Sequence, residues 1–125
     1  MMKSLIIDDE PPARARLSRM LAAHSTVVDV IGEARDGLEA LEKISGLRPD
    51  LIFLDVEMPG LSGFQVLQAL PEDVTLPLVV FTTGYDRSSI GSEFRDVGML
   101  GKPLDIPTMV RELTRLIENK WPSKT

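Results

Sequence analysis

Four short runs of large apolar residues punctuate the chain, and each stops abruptly at polar or turn-forming residues. Leu5-Ile6-Ile7 stops at Asp8-Asp9-Glu10, and Leu51-Ile52-Phe53-Leu54 stops at Asp55. Pro77 to Phe81 gives way to Thr82-Thr83-Gly84-Tyr85, and Met99-Leu100 to Gly101-Lys102-Pro103. A further stretch, Val27 to Ala34, is rich in β-branched residues. Runs this short between turn signals read as parallel strands, buried on both faces where the run is continuous.

The segments between them carry the helical period. Ala13, Leu17, Met20 and Leu21 share one face, with Arg14, Arg16 and Arg19 largely off it. Pro11-Pro12 opens that helix, where proline is tolerated. Asp36 caps a second helix, with Glu39 three residues on and Leu38, Leu41 and Ile44 as its apolar stripe. Glu39 and Lys43 are spaced for a favourable pair along it. Ser62-Gly63-Phe64-Gln65 reads as a capping box opening a short helix through Leu70, ended by Pro71. Asp105 caps the last helix, whose inner face holds Ile106, Met109, Val110, Leu113, Leu116 and Ile117. Trp121 to Thr125 should fray. Strands alternating with helices predict an α/β sandwich of three layers, a parallel sheet covered on both faces. One slot is weak. Between Tyr85 and Val97, the segment Ser88 to Phe94 holds two large apolar residues and a glycine, so a fourth helix there is expected to be short or irregular.

Composition narrows what such a sheet can do. At 125 residues the chain suits a single domain, 1–125. Its net charge of −5 disfavours non-specific nucleic-acid binding, which needs clustered Lys and Arg. With no cysteine and one histidine, His24, thiol catalysis and zinc-thiolate or multi-histidine sites are excluded. No apolar run approaches the ~20 residues of a membrane span, and the start carries no signal-peptide pattern, so a cytoplasmic location is expected.

The strand ends carry the chemistry. In a parallel sheet they lie on one edge, and in the order 2-1-3-4-5 the first and third strands are neighbours at the switch point. Asp8, Asp9 and Asp55 would converge there, with Glu10 close by. Clustered carboxylates repel unless a cation intervenes, and magnesium, which takes oxygen ligands, suits them. A carboxylate can act as a nucleophile toward phosphorus. Lys102 and the Thr83 hydroxyl could then stabilise charge on the transferred group. Singly, each residue also has a structural reading, as a solvated lysine, a strand-end hydroxyl or helix-start acids. Their joint placement on four strand ends is what argues for a site.

Asp8-Asp9-Glu10-Pro11, Asp55 with Met58-Pro59 and Gly63, Thr83, and Lys102-Pro103 together resemble the receiver domain of bacterial two-component response regulators. The likeness covers nearly the whole chain. It implies a flavodoxin-like (βα)5 fold and magnesium-dependent transfer of a phosphoryl group from a sensor histidine kinase, or a phosphotransfer protein, to Asp55. It implies metal binding by the Asp9 and Asp55 side chains and the Glu57 backbone carbonyl, with Asp8 acting mainly through water. Thr83 and Lys102 would contact the phosphoryl group, and the Lys102–Pro103 bond is typically cis in the family. Such a protein is a switch with self-phosphorylation and self-dephosphorylation chemistry, not an enzyme. Residues 5 to 82 resemble receivers of the LytTR class. Phe81 to Tyr85 and Phe94 to Pro103 are more similar to FATGUY-type receivers, which are linked to HWE-type kinases. Met99 stands where the family usually has a switch aromatic, which shifts the expected switch to residues 86 to 96, ordering on phosphorylation. A homodimer is compatible with the sequence without being required by it.

Three other readings compete. A haloacid-dehalogenase-type small phosphatase would use Asp55 as nucleophile, since Asp55-Val56-Glu57 mimics its paired acids, but Glu replaces the second Asp. A flavodoxin would need a phosphate loop after the first strand, where this chain has acids. A phosphocarrier resting on His24 is the weakest. Lys102, read as a charge clamp that strengthens once the phosphoryl group arrives, is expected to contribute little to stability.

Overall fold

The computed structural model describes residues 1–84, 98–102 and 104–120. The elements are β1 (Met2–Ile7), α1 (Pro11–His24), β2 (Val28–Ala34), α2 (Gly37–Leu47), β3 (Leu51–Asp55), α3 (Gly63–Ala69), β4 (Leu78–Thr83), β5 (Gly98–Gly101) and α4 (Ile106–Lys120). All adjacent strands pair in parallel, in the order β2-β1-β3-β4-β5. This is the expected flavodoxin-like arrangement. The weak segment from Tyr85 to Val97, Pro103 with its peptide bond, and the tail from Trp121 lie outside the described residues.

Alternation along the strands divides the core into two layers. On one face Met2, Ile6, Phe53, Val80 and Leu100 meet Leu17, Met20 and Leu21 of α1 and Met109, Leu113 and Leu116 of α4. On the other, Leu5, Ile7, Ile52, Leu54, Val79 and Phe81 meet Ala40 and Ile44 of α2 and Val66 of α3. Burial on both faces explains why β1, β3 and β4 read as unbroken apolar runs. β1 begins earlier than its apolar run, because Met2 and Ser4 are buried too. β4 runs on through Thr82 and Thr83, which pair with Leu100 and Gly101.

Two helix faces differ from the expected stripes. Leu38 is 72% exposed, and the inner face of α2 is Gly37, Ala40 and Ile44. Gly37 packs so closely on Leu61 that a Cβ would lie 2.6 Å from the Leu61 Cβ. That contact turns the glycine inward and its neighbour outward. On α4, Ile106 and Val110 are exposed, because Met109, Leu113 and Leu116 centre the buried stripe roughly 90° from Val110 and about 50° from Ile106, which opens the helix. Asp36 does cap α2 through the Glu39 N–H (2.8 Å), and the Ser62–Gln65 capping box is present in full.

Gly63 fixes how α3 sits over β3. Its N–H donates to the Val56 carbonyl (3.0 Å), and a Cβ there would stand 2.6 Å from the Asp55 carbonyl oxygen. The obstacle is backbone and cannot move aside. Gly63→Ala is expected to cost about 1–3 kcal/mol, although alanine is the better helix former. Thermal unfolding should show a lower midpoint; an unchanged or raised one would mean that α3 is free to shift.

Candidate functional site

The site forms where β1, β3 and β5 end. Asp8 continues the β1 ladder, its N–H donating to the Ala34 carbonyl at 3.0 Å. Its carboxylate Oδ1 accepts from the Glu10 N–H (2.9 Å), a local turn that leads into α1. Asp55 is the last residue of β3, and its Oδ1 accepts from the Glu57 N–H at 3.3 Å. Lys102 follows β5, its N–H donating to the Thr83 carbonyl at 2.8 Å, which sets the lysine at the sheet edge. Its Nζ then lies 3.1 Å from Asp8 Oδ2 and 3.4 Å from Asp55 Oδ1.

Asp8, Asp9 and Asp55 each present a carboxylate oxygen within 4.8 Å of the others. Asp8 is 4% exposed and Asp55 3%, so two of the acids are buried and share one ammonium. The electrostatics follow. Burial pushes the Asp55 carboxyl from its ordinary 3.8 to about 6, the Asp8 charge adds to the rise, and Lys102 and the Glu57 N–H offset part of it. Burial works against the Lys102 ammonium. Its hydrogen bond to Asp8 and the charges of Asp55 and Asp8 outweigh that and hold its pKa above the usual lysine value. An all-oxygen, electron-rich donor set with too little counter-charge fits a hard divalent cation such as magnesium. Receiver domains typically bind magnesium through such an acidic group.

The sequence-derived candidates fall into two sets. Asp8, Asp9, Asp55 and Lys102 converge. Thr83 is buried at the same edge but one residue beyond Asp55's register partner, which is Thr82. Thr82 shares the face of Asp55 and went unnoticed in the sequence. Its hydroxyl is buried and helps line an apolar cavity of about 140 Å³, between Phe53, Leu17 and Leu104, that reaches Asp8 and Lys102. The strand register, invisible in sequence, pairs Thr82 with Asp55 and sets Thr83 one residue further along, where its carbonyl accepts from the Lys102 N–H. The Glu57 side chain is exposed, and its backbone N–H donates to Asp55 Oδ1. Met99 is partly buried against the layer of Phe81 and Val66.

The geometry weakens the competing readings. A dehalogenase-type phosphatase needs the second acid of Asp55-Val56-Glu57 at the site, yet Glu57 is exposed and the partner acids come from β1. Acids after β1 would repel an FMN phosphate. His24 sits at the far end of α1, exposed and at the opposite edge of the sheet.

Comparison with known proteins agrees. The chain is 40% identical over 118 residues to a response regulatory protein of Vibrio cholerae, covering 94% of this chain and 49% of that one. It is 34% identical to the transcriptional regulatory protein BtsR of Escherichia coli, covering 96% of this chain and 50% of BtsR. It therefore spans about half the length of these relatives. Among solved structures, the REC domain of AraT, a response regulator from Geobacillus stearothermophilus, superposes with a TM-score of 0.80 at 30% identity, covering 94% of each chain. The family model described as the response regulator receiver domain matches residues 4–118. A match of that extent, on a fold whose strand ends gather these acids and this lysine, means that the chain belongs to the response regulator receiver domain family.

Proposed function

We propose that Asp55 is the phosphoacceptor of this receiver and takes its phosphoryl group from the phosphohistidine of a sensor histidine kinase or a phosphotransfer protein. Receiver domains are signalling switches that interact with such partners, and the haloacid-dehalogenase alternative is not favoured. The observation that carries the assignment is the Asp55 carboxylate, buried at the end of β3 between a neighbouring acid pair and one ammonium. In the transfer, an Asp55 carboxylate oxygen forms a bond to phosphorus as the phosphorus–nitrogen bond to the imidazole breaks, and the imidazole leaves with the bonding pair. Asp9 and Asp55, with the Glu57 carbonyl, would hold magnesium, and Asp8 would act through water. The cation, when bound, supplies positive charge to the equatorial phosphoryl oxygens. Lys102 would exchange its contact with Asp55 for one with the phosphoryl group, and Thr83 would donate a hydrogen bond to it.

Residues 86 to 96, which lie outside the described residues, would become ordered on phosphorylation and gain protection from amide exchange with magnesium and beryllofluoride. The likeness of the second half to FATGUY-type receivers makes an HWE-type kinase the first donor to assay, and monomeric and homodimeric states are separable by sedimentation with and without beryllofluoride. Among the described residues no helix is long and apolar enough to cross a membrane. We place the protein in the cytoplasm with its kinase's phosphohistidine.

Incubation with radiolabelled acetyl phosphate and magnesium tests the assignment. The expected result is a hydroxylamine-labile label on the parent and none on Asp55→Asn. Persistent labelling of Asp55→Asn would move the acceptor elsewhere, and turnover of many phosphate esters would restore the phosphatase reading.

A further inference from the structure

We propose that Arg14, backed by Glu33, is a positioning residue that sets the Asp8-Asp9 pair for cation binding; this rests on the functional reading above. Arg14 lies in the first turns of α1 and is only 17% exposed at its side chain. Its Nη1 donates to the Asp8 carbonyl at 2.7 Å, and its Nε donates to Glu33 Oε1 at 3.0 Å. That carbonyl belongs to the peptide joining Asp8 to Asp9. Fixing the plane of this peptide fixes the Asp9 N and Cα, and the Glu10 N–H held by Asp8 Oδ1 restrains the peptide that follows, so the two together limit how the Asp9 side chain leaves the backbone.

The two acids depend on this hold unequally. Asp8 is also tied by its N–H to Ala34, by Glu10 at Oδ1 and by Lys102 at Oδ2. The Asp9 carboxylate accepts no hydrogen bond among the described residues, yet it lies within 4.8 Å of the other two acids. Its place therefore depends on its backbone, which Arg14 holds on the Asp8 side and the Glu10 N–H on the other. A guanidinium suits the task, because its planar fork reaches two acceptors at once and its charge persists at any physiological pH. Glu33 is anchored in turn. It pairs with Ile6 in the sheet, and Lys43 Nζ donates to its carbonyl. Outer partners of this kind orient metal ligands, and their loss typically lowers metal affinity about 10- to 100-fold.

The test is magnesium titration of the whole protein by calorimetry, with the Asp9 amide resonance followed in metal-free protein and thermal midpoints recorded in parallel. Arg14→Met should raise the magnesium Kd about 10-fold and shift the Asp9 amide before any metal is added. Arg14→Lys, which can reach one acceptor only, should recover part of the loss, and Glu33→Gln should show a smaller rise in Kd. With acetyl phosphate, the half-saturating magnesium concentration should rise while the labelling rate at saturating magnesium stays within about two-fold of the parent. A folded Arg14→Met with the parent's Kd would overturn the proposal, even if its midpoint fell, since that is all a structural role predicts. Should Arg14→Met not fold, an unchanged Kd in both Arg14→Lys and Glu33→Gln overturns it. Asp9→Ala and Asp55→Asn are the controls. If the parent binds no magnesium, or is labelled equally as Asp55→Asn, the functional reading itself fails and this inference with it; if those controls behave and only the Arg14 series is silent, the functional reading stands.

Discussion

Lys102→Ala is expected to unfold about 6–12 °C below the parent at pH 7.5 without divalent cations. Lys102 is the ammonium that the buried Asp8 and Asp55 carboxylates share, at 3.1 and 3.4 Å. Removing one partner of a buried pair costs about 3–5 kcal/mol, because the remaining charge is left uncompensated. Lys102 is 28% exposed at its side chain, so water screens part of that and about 2–3 kcal/mol is the appropriate figure. This reverses the expectation drawn from sequence, where Lys102 reads as a clamp with little part in stability. Millimolar magnesium should narrow the gap, since a cation among the acids replaces the missing charge. Melting curves of both proteins, with and without magnesium, decide it. Equal midpoints in the absence of magnesium would mean that the lysine contacts contribute nothing to the resting state.

Asp55→Asn should move stability in the opposite direction. The Asp55 carboxyl rises from 3.8 to about 6 on folding, chiefly through burial. The native state therefore holds this proton more tightly than the unfolded chain does. Between the two values the unfolded chain binds fewer protons, so stability falls as pH rises through that window and stays reduced above it. The full difference corresponds to about 3 kcal/mol, and screening at the open edge of the site reduces it to roughly 1–3 kcal/mol. Asparagine keeps the shape and removes the charge, while Asp8 still pairs with Lys102. The variant should melt about 3–10 °C above the parent at pH 7.5. The advantage should shrink as pH is lowered through 6 and be nearly gone at pH 4. A variant that is less stable, or whose advantage does not depend on pH, would show that the Asp55 charge is already compensated in the resting protein. Taken together, the two substitutions describe a buried carboxylate whose charge lowers stability, with one lysine limiting that cost.

Much of this was legible before any coordinates. Unbroken apolar runs at β1, β3 and β4 follow from burial on both sheet faces, and they give way to polar groups at the one edge of the sheet where Asp8, Asp55 and Lys102 meet. Local signals were equally direct. Asp36 and Ser62 cap where their spacing to Glu39 and Gln65 says they should, since a cap needs only neighbours along the chain. Asp8, Asp9, Asp55 and Lys102 were identifiable because each lies within two residues of the end of an apolar strand run.

What sequence could not settle depends on distances between segments far apart in the chain. Leu38 faces out because Gly37 lets α2 lie close on Leu61, a contact no helical wheel contains. Thr82 pairs with Asp55 across the strands and Thr83 follows it at the sheet edge, because register is fixed by pairing across strands. Arg14 reads as one more charge off the apolar face of an amphipathic helix. Only the crossing of α1 over the ends of β1 and β2 brings it between the Asp8 carbonyl and Glu33. The same holds for Lys102, whose two ion pairs span 94 and 47 residues of chain. Sequence alone thus determined which groups stand at the sheet edge, since that needs only strand boundaries; the tertiary structure decided which of them share charge, because Coulomb and hydrogen-bond energies depend on separations of a few ångströms that only the packed fold sets.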